Sequence, residues 1–205
     1  MKVTIGMLKG GASRTTTAVF LAIALNRLYG HRVLLVDADP QNGTAFEWSE
    51  DAKSASVWPD SVQCMYWPLA NLTRRIETEL SHGYDSVVID TGNDPAAIKA
   101  GLGATDRLLV PLAPSGTEAT RLRPTLEAAA EVARNKEIEL SVLLTRVVRG
   151  TRSRIDARDA LEEEGLHVLA TEIPRLERFA SAYGTVPADI EPYGVLATEM
   201  MKKGR

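Results

Sequence analysis

Lys9-Gly10-Gly11-Ala12-Ser13-Arg14-Thr15-Thr16-Thr17 follows an apolar run at residues 3–8 and opens a stretch of helical spacing at residues 15–29. Glycines let the backbone approach an anion closely, and the free N–H groups and dipole of a helix N-terminus favour negative charge there. The segment therefore reads as a phosphate cradle in which Gly10, Gly11, Ala12, Ser13, Arg14, Thr15 and Thr16 surround the anion and the Thr15 hydroxyl is placed to ligate magnesium. Two positions depart from the general pattern, because Ser13 stands where glycine is usual and Arg14 where lysine is usual. A plain glycine turn without a ligand would carry the same nine residues, so the reading needs support from the rest of the chain.

Beyond this loop, short β-branched runs alternate with longer stretches of helical spacing, the pattern of a mostly parallel, twisted sheet with helices on both faces. Strands are expected at residues 3–8, 32–37, 86–90, 107–111, 140–145 and 168–173, and helices at 15–29, 71–80, 119–133, 154–164 and 187–202. Gly30 supplies a helix stop. The stretch 51–68 is irregular, with Trp58, Trp67, Tyr66 and two prolines, and is expected at the sheet's edge. Neither an internal repeat nor a linker divides the chain, so residues 1–205 are expected to form a single α/β domain of three layers, and the glycine loop between its first strand and first helix makes the P-loop NTPase type the expectation.

Composition narrows the function. The 205 residues are 44% hydrophobic and 25% charged, enough for one well-buried core, and the formal net charge of −3 leaves nucleic-acid binding to a local basic cluster. Cys64 is the only cysteine, which excludes an internal disulfide framework and any all-cysteine metal or iron–sulfur site within one chain. No apolar stretch approaches a membrane span, so a cytoplasmic location is expected. His31, His82 and His167 occupy no recognisable catalytic context.

Support for the phosphate site comes from Asp37-Ala38-Asp39-Pro40-Gln41 after the second strand and Val88-Ile89-Asp90-Thr91-Gly92 at the end of the third. Carboxylates at strand C-terminal ends lie on the ligand side of such a sheet, where magnesium needs oxygen ligands and an attacking water needs a polar partner. Singly, either aspartate could merely cap a turn. Their order and placement relative to the glycine loop favour nucleotide binding.

Together these segments resemble the ParA/MinD family of deviant Walker A ATPases, specifically the short ParA-like partition proteins. The resemblance rests on Lys9-Gly10-Gly11 with Thr15-Thr16-Thr17-Ala18, on Val36-Asp37-Ala38-Asp39-Pro40-Gln41 and on Val88-Ile89-Asp90. It implies ATP and ADP as ligands with Mg2+, and a nucleotide-sandwich homodimer in which Lys9 reaches the partner's phosphates. It also implies a role in hydrolysis for Asp39, metal roles for Thr15, Asp39 and, through water, Asp90, and a place near the base for residues 111–115 and for the 171–175 stretch with Pro174. Arg14 can hold phosphate charge, but its planar fork is not equivalent to a compact ammonium, so slow turnover is expected.

Between residues 141 and 154 the chain carries Arg146, Arg149, Arg152 and Arg154 and no acidic residue. Arginines on a loop can hold DNA phosphates without reading sequence. With Arg175, Arg178, Lys202 and Lys203 as possible extensions, this is the candidate DNA surface, against the alternative of a solvated charged loop. The resemblance implies non-specific DNA binding in the ATP state, hence nucleoid association, release by a centromere-binding ParB-like partner, and segregation of a plasmid, phage or chromosomal cargo. Two alternatives remain open: a nucleotide-gated scaffold with little hydrolysis because of Arg14, and a MinD-like membrane-associated regulator, for which residues 195–203 are short and weakly apolar.

Overall fold

The computed structural model describes residues 1–68, 71–114 and 118–202, the side chains of 118–121 excepted. The elements run β1 (Lys2–Ile5), α1 (Arg14–Tyr29), β2 (Val33–Asp37), α2 (Thr44–Ser54), β3 (Val62–Tyr66), α3 (Leu72–Leu80), β4 (Ser86–Asp90) and α4 (Pro95–Ala104). They continue with β5 (Arg107–Leu112), α5 (Glu118–Ala133), β6 (Glu139–Val147), α6 (Arg152–Glu163), β7 (Val168–Pro174), α7 (Glu177–Ala180) and α8 (Tyr193–Lys202). The strands form one sheet in the order β3-β2-β4-β1-β5-β6-β7, with every pair parallel. Strand C-terminal ends therefore share one edge, where ligands of open α/β sheets bind.

All five residues of β2, and all five of β4, are buried, because both faces of the sheet are covered. Alternate side chains serve opposite layers. Val33 and Leu35 pack with α1, α2 and α8, whereas Leu34 and Val36 pack with Leu72 and Ile76 of α3. Beneath β5 and β6 a third cluster joins Ile98 and Leu102 of α4, Leu122 of α5 and Leu161 of α6. Helix α1 is buried from Thr17 to Leu25, and its Phe20 lies 5.2–5.6 Å, centroid to centroid, from the rings of Trp48, Phe179 and Tyr193. Gly30 ends the helix in the left-handed region at φ 65°, its N–H bonded to the Asn26 carbonyl.

Several boundaries differ from expectation. Strand β1 stops at Ile5 rather than at residue 8, because the chain leaves the ladder: the Leu8 N–H is taken by the Thr125 hydroxyl and the Met7 carbonyl by Arg14. The irregular stretch at the sheet's edge contains the outermost strand, β3, paired residue by residue with β2. Helix α4 was not expected; Asp94 caps it by accepting the Ala97 N–H, with Pro95 as its first residue. The last helix begins at Tyr193, not at 187, since the Pro187 and Ala188 carbonyls accept from Arg27.

Candidate nucleotide site

The chain leaves β1 through Gly6, Met7 and Leu8 and turns into α1 by way of two left-handed residues, Gly11 at φ 79° and Ser13 at φ 61°. Glycine enters that region freely; serine does so against its Cβ. The Ser13 hydroxyl makes no capping bond to the helix it precedes. Thr15 then presents its hydroxyl to Asp90 at the end of β4, with 2.6 Å between Oγ1 and Oδ2. The hydrogen points at the carboxylate, so the threonine's lone pairs remain available to a cation.

Three carboxylates meet at this edge. Asp37 and Asp90 are register partners on neighbouring strands, and Asp39 follows two residues after Asp37. Asp37 accepts the N–H groups of Asp39 and Phe46, yet burial, and next to it the charge of Asp90, push its pKa up to about 7. Burial also raises Asp90 above the ordinary carboxylate range, against the opposing pull of the Thr15 hydrogen bond and of Arg14. The Asp39 carboxylate accepts from the Gln41 N–H at 2.9 Å and from Asn42 Nδ2 at 3.0 Å. It lies against the Cα of Gly92, where a methyl group would overlap it.

Arg14 is half-buried and folds back on the loop, donating from Nη1 to the Met7 carbonyl. Burial lowers its pKa, while Asp90 and Asp39 act in the opposite sense. Lys9, by contrast, is exposed and makes no side-chain hydrogen bond or ion pair among the described residues.

On the other flank of the loop lies a cleft of about 490 Å3, lined by Gly11, Ser13, Thr16, Arg146, Pro174 and Arg175 among others, a size suited to a small ligand. Pro174 lines the cleft together with the loop residues. Residues 111–114 do not line the cleft, because Pro111 and Leu112 are held in the sheet opposite Leu143 and Leu144; Ser115 lies outside the described residues.

The basic stretch divides into three fates. Arg146 and Arg175 are exposed and line the cleft, and Arg146 Nη1 donates to the Gly11 carbonyl at 3.3 Å. Arg154 bonds Glu172 at 2.5 Å, and Arg178 bonds the Glu191 carbonyl and pairs with Asp189, so both are committed within the protein. The acidic partners come from β7 and from the segment before α8, 18 and 11 residues further along the chain. Arg149 is exposed without a side-chain partner among the described residues, and Arg152 is exposed with only a 3.7 Å contact to Asp156. Lys202 ends α8, and Lys203 lies outside the described residues. Sequence reasoning missed Asn42, the support of Asp39, and the cleft position of Arg146.

Residues 3–186 match the family described as the CobQ/CobB/MinD/ParA nucleotide binding domain. The chain belongs to this family. Among relatives of this ParA/MinD-type domain, the maintenance of carboxysome distribution protein A of Gloeobacter kilaueensis is 37% identical over 178 residues, covering 85% of this chain and 74% of that protein. A putative plasmid partition protein from Borrelia burgdorferi, bound to AMPPNP, shares the fold with a TM-score of 0.76 at 19% identity, covering 98% of both chains. So does cobyrinic acid a,c-diamide synthase from Mycobacterium smegmatis with ADP and magnesium, with a TM-score of 0.73 at 23% identity over 100% of this chain and 96% of that one. The architecture is the three-layer P-loop fold expected from the sequence.

The donor set of the ParA/MinD-type site suits magnesium. Among the described residues no group of three or more His, Cys, Asp or Glu side chains forms a metal cage. Magnesium seldom needs one, since it takes one or two protein ligands and completes its shell with phosphate oxygens and water. Thr15 would be the direct ligand, with Asp90, which its hydroxyl bonds, and Asp39 as the carboxylates that would support the ion through water.

Proposed function

We propose that this chain is an ATP-dependent positioning switch: it binds ATP with magnesium, closes into a homodimer across the nucleotide, holds DNA non-specifically in that state, and hydrolyses ATP slowly to release it. The Thr15–Asp90 hydrogen bond beneath the glycine loop, with Asp39 alongside, is the observation that carries this reading. It joins a hydroxyl on the phosphate-binding helix to a carboxylate on the adjacent strand, the arrangement from which magnesium is held against a phosphate. When bound, the ion would neutralise charge developing on the transferring phosphoryl group. Lys9 is assigned to the partner protomer's phosphates and Asp39 to the attacking water.

Non-specific DNA contact is assigned to Arg149 and Arg152, at the entrance to α6, and DNA binding would place the ATP-bound dimer on the nucleoid. The relative named for carboxysome distribution and the neighbour described as a plasmid partition protein support a cargo-positioning role. A ParB-like or functionally equivalent partner would accelerate hydrolysis. No helix among the described residues is long and apolar enough to cross a membrane.

The bond from Arg14 to the Met7 carbonyl favours a second reading, a nucleotide-gated scaffold with little turnover, because it holds the guanidinium on the protein's own backbone. ATP binding and turnover, measured with and without magnesium and DNA beside a Lys9→Ala variant, separate the two. Magnesium-dependent turnover raised by DNA and abolished in Lys9→Ala supports the switch. Tight binding without turnover supports the scaffold, and absence of nucleotide binding defeats both.

A further inference from the structure

Arg146 has the backbone of a residue under constraint. Its φ of 53° is one of three positive values at non-glycine residues among the described residues. Such a conformation is disfavoured for a side chain with a Cβ and persists where the surroundings impose it, characteristically at ligand sites. Here it follows Thr145, whose hydroxyl lies 3.3 Å from the Ala12 carbonyl, while Arg146 Nη1 lies 3.3 Å from the Gly11 carbonyl. The end of β6 thus grips two consecutive carbonyls of the phosphate loop.

That grip uses little of the guanidinium. Arginine carries five N–H donors in a planar fork, and the Gly11 carbonyl takes one. Arg146 is exposed and lines the cleft beside Gly11, Ser13 and Thr16, with Arg175 as a second cation there and Glu177 as the one carboxylate-bearing residue of the lining. Asp39 and Asp90 do not line this cleft. Arg14 has the opposite surroundings, turned onto Met7 and facing Asp90 and Asp39. The glycine loop thus has an inward arginine on its magnesium side and an outward arginine on its cleft side.

We propose that Arg146 is a nucleotide ligand, donating to phosphate oxygens on the nucleoside side of the loop and supplying there the accessible cation that Arg14 does not. The proposal rests on the nucleotide-binding reading above and deepens it. A planar fork matches phosphate oxygens in pairs, and charge-assisted bonds of this kind are the stronger ones. Because the cleft lies away from Thr15 and Asp90, the phosphates within reach are those that ATP and ADP share. Arg146 is thereby removed from the DNA surface.

Titration calorimetry with ATP and with ADP, in magnesium and between about 50 and about 200 mM salt, tests this on the wild type, Arg146→Gln, Arg146→Lys and Arg123→Gln. Arg146→Gln is expected to raise the Kd of both nucleotides by the same factor, roughly tenfold to a hundredfold, and to make the affinity less salt-dependent. Arg146→Lys should fall between, and Arg123→Gln, a charge lost from the exposed face of α5, should match the wild type. Unchanged affinity in Arg146→Gln overturns the proposal. So does weakened affinity with the wild-type salt dependence, the mark of a purely structural clasp, or an equal loss in Arg123→Gln. Absence of binding by the wild type defeats the nucleotide reading itself, a result distinct from any of these.

Discussion

Ser13 occupies backbone space that glycine enters without strain, and its hydroxyl gains nothing there, since it caps no helix N–H. The left-handed region costs a residue with a Cβ roughly 1–2 kcal/mol, and glycine's greater freedom in the unfolded chain returns roughly 0.4–1 of it. Ser13→Gly should therefore stabilise the nucleotide-free protein by about 0.5–1 kcal/mol, which thermal unfolding would register as a rise of roughly 1–4 °C. No rise would mean that the loop re-forms around the substitution. Asp37 makes a second prediction at this scale. Its folded pKa of about 7 lies above the ordinary value of 3.8, so between those pH values the folded protein binds a proton that the unfolded chain has released. Stability from this group is full below about pH 4 and is lost as pH rises through about 7, by roughly 4 kcal/mol at most. Denaturant midpoints of the nucleotide-free protein should fall between pH 5 and pH 8 on this account, and Asp37→Asn should flatten the decline. An unchanged slope in that variant would place the titration elsewhere, Asp90 being the nearest alternative.

The ends of β2 and β4 meet through Gly92 and Asp39, and their loops are coupled by contact. Gly92 has φ 61° and no room for a methyl group on the side of the Asp39 carboxylate. Gly92→Ala should displace Asp39 from the bonds it accepts from Gln41 and Asn42 and cost about 1–2 kcal/mol of stability through the backbone alone. With Asp39 assigned to the attacking water, kcat should fall while ATP affinity changes little. A loss confined to KM would move Asp39 out of the hydrolytic step. Legibility in the sequence varied among these elements for physical reasons. The β-branched runs of β2 and β4, the long apolar run of α1 and the stop at Gly30 are local properties, readable without knowing any neighbour. Helix α4 carries a local mark too, Asp94 before Pro95, but its interior Pro-Ala-Ala-Ile-Lys-Ala-Gly-Leu-Gly-Ala is poor in polar residues and rich in glycine and shows no clear helical pattern. The fates of Arg146, Arg154 and Arg178 were not local. They depend on Gly11, which the folded sheet brings to the end of β6, on Glu172 of β7, and on Asp189 in the segment between α7 and α8, none of them placed by the local sequence pattern.

At the scale of the whole molecule, a chain of net charge −3 offers DNA no general attraction, and of the arginines between residues 146 and 154 Arg149 and Arg152 are the ones that are exposed, weakly committed and outside the lining of the nucleotide cleft. Two phosphate contacts give weak, salt-sensitive affinity; a dimer with both pairs on one face doubles the count and couples the second pair to the first at high effective concentration. On the proposed function, nucleotide-dependent DNA binding would need no new contact within a protomer, because dimerisation itself would supply it. Since log K falls with log salt by about 0.9 for each phosphate neutralised, Arg149→Gln with Arg152→Gln in both protomers should reduce that slope by about 3 to 4. Fluorescence anisotropy on a mixed-sequence duplex across a salt series, with ATP and magnesium, measures it, and nucleotide affinity should be unaltered. A slope unchanged by the double substitution would leave Arg149 and Arg152 as solvated surface charges and send the DNA contact to another face. A slope reduced by only about 2 would mean that one protomer of the dimer touches the duplex and that the second pair of arginines makes no DNA contact.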